Sequence, residues 1–180
     1  MRIEWLIVMV LVSVAAYDVP PKQSEPRFPQ IAKYGGIVDT PAAAEPPRRG
    51  AKIIFDITTD AAADEVNPGL VSVARYLNLN AAAELKPTDV NLALVLHGPA
   101  TRAALGDAGY AKHAKAAKNP SLELIHKLKE CGVEVFVCGQ SLARNKFDQT
   151  DVAGDVKIAV SAMTVNANRQ QDGYSYLSIH

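Results

Sequence analysis

The chain has 180 residues, a length that suits one domain. Hydrophobic residues make up 48% and charged residues 21%, so a packed core is available and wholesale disorder is excluded. Lys+Arg and Asp+Glu are both 19, so the formal net charge is zero and the basic excess that nucleic acid recruits is absent.

The first sixteen residues have the three parts of an export signal. Arg2 lies near the amino terminus, the run from Trp5 to Val14 is apolar except for Ser13, and small residues (Val14, Ala15, Ala16) precede Tyr17-Asp18. The run is shorter than the roughly 20 apolar residues a spanning helix needs. Cleavage is therefore expected, with an uncleaved anchor as the alternative. A cleaved chain would be periplasmic or secreted, without stable membrane insertion.

Residues 17–50 hold seven of the eleven prolines. Proline removes a backbone donor and fixes φ, which excludes regular helix and central strand. This stretch reads as an extended arm whose middle, Ile31 to Val38, docks on something. The alternative is a disordered linker.

From residue 51 strands and helices alternate. Lys52–Thr58 is a first strand. Pro68–Leu85 is a helix with Leu70, Val73, Ala74, Leu77 and Ala81 at 3.6-residue spacing. Asn91–His97 is a second strand, apolar on both faces as a buried parallel strand is. After a broken Ala- and Lys-rich segment, Ser121–Glu130 is a helix with Leu122, Ile125, Leu128 and Lys129 on its buried side. Val133–Cys138 is a third strand, and a short helix runs from Gln140 to about Phe147. Val156–Met163 is a fourth strand, Thr164–Gln171 a last helix and Tyr174–Ile179 a fifth strand. This order predicts an α/β fold with a mainly parallel five-stranded sheet over residues 51–180.

In open parallel sheets the site lies outside the carboxyl ends of the strands. That rule nominates Asp56 to Asp60, His97 to Pro99, Cys138 to Ser141, and Ser161 to Asn166. Cys138 ends a strand, Gly139 allows a tight turn and Gln140-Ser141 opens a helix. Unpaired N–H groups at a helix start favour a thiolate. The competing reading is a buried, inert strand cysteine. His97, on the same sheet edge, suits proton transfer or thiolate stabilisation; its competing reading is a strand-end histidine bonded to backbone. Gly98 follows His97 at that edge.

Cys131 ends a helix, where the dipole disfavours a thiolate. A whole strand separates it from Cys138, farther than a disulfide spans, so no bridge between them is expected. His113 and His126 read as solvent-facing helix residues and His180 as terminal. His97 and Cys138 alone make no zinc pattern, and no metal or bound cofactor is expected. The phosphate-loop, dinucleotide and nucleophile-elbow signatures are absent.

At these residues the chain resembles the DsrE/DsrF-like proteins of sulfur relay. The resemblance is carried by KIIFDIT (52–58), LVLHG (94–98), VFVCGQSL (135–142), VKIAVSAM (156–163) and GYSYLSI (173–179). The arm around Tyr34 to Ile37, with Pro41, Pro46 and Pro47 behind it, resembles the extracytoplasmic members. The resemblance implies a three-layer α/β/α domain, assembled as a homotrimer or hexamer. It also implies a cysteine holding sulfane sulfur as a persulfide, which falls on Cys138. Gly139, Gln140, Ser141 and Gly98 would then bind the sulfur substrate, with Arg144, Asn145 and Lys146 adding polarity and His97 facing the thiol, even across a subunit interface. Implied partners are a sulfur donor or acceptor protein or a small sulfur compound. Two other readings stand beside this one. One is a non-catalytic oligomeric binding module with an inert cysteine. The other, ranked last, is a thiol oxidoreductase, which lacks the paired C-x-x-C such chemistry uses.

Overall fold

The computed structural model describes residues 25–180. The expected signal (1–16) and the start of the arm (17–24) lie outside the described residues. Five strands form one sheet: β1 (Lys52–Ile57), β2 (Asn91–Leu96), β3 (Glu134–Cys138), β4 (Lys157–Ala159) and β5 (Ser175–Ile179). Their order is β4-β3-β2-β1-β5 and every pairing is parallel. The helices are α1 (Pro68–Ala82), α2 (Asp107–His113), α3 (Leu122–Glu130), α4 (Gly139–Asn145) and α5 (Ala162–Gln171). Among the described residues no helix is long and apolar enough to cross a membrane.

Strands β1 to β4 step across the sheet in one direction, and the chain then returns to place β5 beside β1. A right-handed crossover places its helix on one face going out and on the other coming back. The core divides accordingly. Ile53, Phe55, Ile57, Leu94, Leu96, Val135 and Val137 face the outward helices and meet Leu70, Leu77, Ile125, Leu128 and Leu142. Ile54, Ala93, Val95 and Cys138 face the other way and meet Ala162 and Val165 of α5. The period-2 alternation of VFVC therefore decides which face receives the thiol.

Three sequence expectations need correction. The fourth strand is shorter than residues 156–163: pairing ends at Ala159, and Met163 already belongs to α5. Ser161 explains the early stop, because its hydroxyl accepts from Thr164 N–H and caps the helix there. On α3 the buried positions are Leu124, Ile125 and Leu128; Leu122 is half-buried and Lys129 is exposed. Lys129 pairs with Asp155 instead, as a long cation at the solvent boundary does. Finally, α4 begins at Gly139, one residue earlier than expected, with Cys138 itself at the N-cap.

Residues 25–50 contain turns and a single antiparallel bridge between Arg27 and Ile37. Ile31 and Ile37 are buried. The arm is fastened to α1 by Asn78, which is wholly buried and which the hydrophobic pattern did not single out. Asn78 Oδ1 accepts from the backbone N–H of Gln30 and Ile31, and its Nδ2 donates to the carbonyls of Tyr34 and Gly35.

Candidate functional site

The carboxyl ends of β1, β2 and β3 and the amino ends of α4 and α5 converge on one place. Cys138 is the last residue of β3 and is 4% exposed. Its side chain lies on the α5 face of the sheet. Burial acts to raise its pKa, but the Ser141 hydroxyl and the backbone N–H groups of Ala162, Ser141 and Gln140 outweigh it and hold the thiol below its ordinary value. Three of these four donors come from the first turn of α4 and one from the first turn of α5. Neither turn has another use for those N–H groups.

The geometry that brings the donors in is set by Gly139 and Ser141. Gly139 is the first residue of α4 and does not take the positive φ of a glycine turn. Its lack of a side chain matters for contact: a Cβ there would sit 2.8 Å from the Ala159 carbonyl oxygen. Ser141 Oγ accepts from Gly98 N–H at 3.1 Å, tying the start of α4 to the end of β2. Gly98 has φ +54, which lets the chain turn directly after His97. Gln140 is exposed at the rim, where its Nε2 donates to the Val160 carbonyl at 3.3 Å. Arg144, Asn145 and Lys146 lie exposed at the far end of α4, and Asn145 Nδ2 donates to the Ser141 carbonyl. They add no polarity at the thiol.

His97 is brought to the same place within one chain. Its Nε2 lies 2.7 Å from Asp56 Oδ1, close but off the line of a hydrogen bond. Tyr176 Oη donates to the other oxygen, Oδ2, at 2.6 Å. The Asp56 contact raises the pKa of His97 despite partial burial, and the nearby Cys138 adds to the rise. Burial acts to raise Asp56, yet His97, Tyr176 and Asn166 hold it below the ordinary carboxylate value. The site therefore brings together a carboxylate held below its ordinary value, an imidazole held above its own and a thiol held below its own. That set stabilises a sulfur nucleophile without a metal. Among the described residues no group of three His, Cys, Asp or Glu is placed to hold one.

All six residues nominated from sequence (Cys138, His97, Gly98, Gly139, Gln140 and Ser141) meet at this edge. Asp56 fell in a nominated segment without a role, and Tyr176 was missed. The alternation in YSYLSI puts Tyr176 on one face, but its partner is fixed by β5 pairing with β1, which sequence order does not give. Ala162 also fell in a nominated segment, but its N–H had no role there because α5 was expected to start later. The Ser161-x-x-Thr164 cap was its signal.

Cys131 differs in each respect. It is half-buried at the end of α3, its sulfur accepts from Gln30 Nε2 at 3.4 Å, and burial raises its pKa. Both cysteines are free. His113 and His126 are exposed; His113 stacks on Phe147 and His126 pairs with Asp155. A groove of about 910 Å³ lies between the arm (Ile37 to Arg48) and the end of α1 remote from the thiol, so it is not the site's substrate pocket. Around the starts of α4 and α5, next to exposed Gln140, the apolar side chains of Val160 and Met163 are 74% and 78% accessible and add an apolar part to the rim.

Residues 52–179 match the family model described as the DsrE/DsrF-like family. Among solved structures, the chain is similar to MTH1491, a protein of unknown function from Methanobacterium thermoautotrophicum. The two share 19% identity and a TM-score of 0.51, over 72% of this chain and 99% of that one. At that identity the likeness concerns the fold, which is the same α/β architecture. No curated protein matches the chain.

Proposed function

Since this chain belongs to the DsrE/DsrF-like family, we propose that it is a sulfur carrier that holds sulfane sulfur on Cys138. The observation that supports this most is the set of four donors around one buried thiol at the junction of two helix starts. A persulfide carrier needs a thiolate, fixed donors for the terminal charge and shelter from water. His97 is the cation beside that sulfur, and Ser141, Gln140, Gly139 and Gly98 shape its cradle. The apolar rim of Val160 and Met163 suits a protein donor or acceptor.

The export features of residues 1–16 support an extracytoplasmic setting, and the family resemblance supports a homo-oligomer. The slight exposure of Cys138 favours a second reading, a binding module of the same fold with a silent cysteine. Cyanolysis separates the two. Protein treated with inorganic polysulfide and desalted should release thiocyanate with cyanide. Cys131→Ser should behave like wild type and Cys138→Ser should release none. Equal release from Cys138→Ser would sink the carrier reading.

A further inference from the structure

The residues behind His97 form a row across the sheet. In the register of β2 with β3, Leu96 pairs with Val137, so the next step sets His97 opposite Cys138. Asp56 pairs with Val95, on the same face and two residues before His97. Tyr176 pairs with Ile54, on that face and two residues before Asp56. Four adjacent strands in the order β5-β1-β2-β3 thus contribute Tyr176, Asp56, His97 and Cys138 along a diagonal of one face: His97 and Cys138 are directly opposite, about 4.8 Å apart across the strands, while Asp56 and Tyr176 each sit two residues back on the next strand.

A carboxylate in the central strand of such a sheet is costly unless paired. Asp56 is 7% exposed and lies among the apolar side chains of the α5 face. Among the described residues its one cationic contact is His97. The groups facing the imidazole are Asp56 from β1 and Cys138 from β3, with Tyr176 of β5 behind Asp56 and neutral Asn166 from α5 beside the carboxylate. His180 lies just past the end of β5, where it hydrogen-bonds Thr58.

We propose that Asp56, braced by Tyr176, is a positioning residue that keeps His97 charged and aimed at Cys138, so that the resting site is a thiolate–imidazolium pair. This rests on Cys138 being the working thiol and assigns a role to a carboxylate that never touches sulfur. The pair makes Cys138 nucleophilic at pH values where an ordinary thiol is protonated.

The test follows two titrations, that of His97 by NMR and that of Cys138 by the pH profile of alkylation. Both are read in wild type, Asp56→Asn and Tyr176→Phe, with a thermal melt on each. In Asp56→Asn the His97 midpoint should fall and the Cys138 midpoint should rise. Alkylation at mildly acidic pH should slow by about ten-fold or more, as loss of a charged partner implies. Tyr176→Phe should move both midpoints in the same directions by less. A folded Asp56→Asn with both midpoints unchanged would overturn the proposal. If Asp56→Asn does not fold, wild-type His97 and Tyr176→Phe decide. A wild-type His97 titrating at or below the ordinary imidazole value would overturn it as well. Neither readout involves sulfur loading, so failure of the carrier reading is seen separately, by cyanolysis.

Discussion

Replacing Asn78 by alanine tests how the arm is held. The side chain is 0% exposed and makes four hydrogen bonds, all to arm backbone: from Gln30 N–H at 2.9 Å and Ile31 N–H at 2.8 Å, and to the Tyr34 and Gly35 carbonyls at 2.9 Å each. At about 0.5–1.5 kcal/mol net per bond, their loss sums to roughly 2–6 kcal/mol. The arm has a second way out. It can leave α1 and return those groups to water, giving up the burial of Ile31 and Ile37, about 1.5–3 kcal/mol for each side chain. The two costs are similar, so Asn78→Ala should loosen the arm before it unfolds the sheet. Urea unfolding should show a loss of about 2–4 kcal/mol. Limited trypsin digestion should cut at Lys33 much faster than in wild type and leave a folded fragment containing residues 51–180. A loss below about 0.5 kcal/mol, with Lys33 still protected, would show that Asn78 does not anchor the arm.

Two further predictions concern the site. Ser141→Ala removes a hydroxyl donor to the thiolate and the acceptor for Gly98 N–H; alkylation of Cys138 at neutral pH should slow by about ten-fold, the kinetic equivalent of one charged hydrogen bond, with Cys131 unaffected. Stability should depend on the Asp56–His97 pair over a defined pH range. Asp56 is lowered from 3.8, so its contribution is present above that value and is lost as pH falls through the folded pKa. His97 is raised from 6.5, so its contribution is present below that value and is lost as pH rises through the folded pKa. Cys138 is lowered from 9.0 and opposes the alkaline loss, because its contribution grows as pH rises. In a Cys138→Ser background that opposition disappears. The urea midpoint should then fall between pH 6 and 8.5 more than in Cys138→Ser with His97→Gln; identical slopes would refute the pairing.

The sheet was legible because its strands are short apolar runs flanked by turn residues. KIIFDI, NLALVL and EVFVC are strands almost to the residue. The edge strand KIA was not, since VKIAVSAM is continuously apolar and only the cap at Ser161 ends the pairing. For the site, the rule about strand carboxyl ends found Cys138, His97 and the Asp56 segment without knowing the strand order. It did not find Tyr176, because β5 crosses the whole sheet to lie beside β1. Asn78 was invisible for another reason. A buried asparagine on an amphipathic helix breaks the apolar pattern, and only its four backbone partners explain it.

If the chain is a sulfur carrier, Cys138, and not Cys131, receives the sulfur. Intact mass spectrometry of wild type, Cys131→Ser and Cys138→Ser after brief exposure to polysulfide and desalting tests it most directly. Wild type and Cys131→Ser should gain mass in whole sulfur atoms, removed by a reducing thiol, and Cys138→Ser should stay unchanged. Sulfur on Cys138→Ser, or none on wild type although Cys138 alkylates readily, would contradict it.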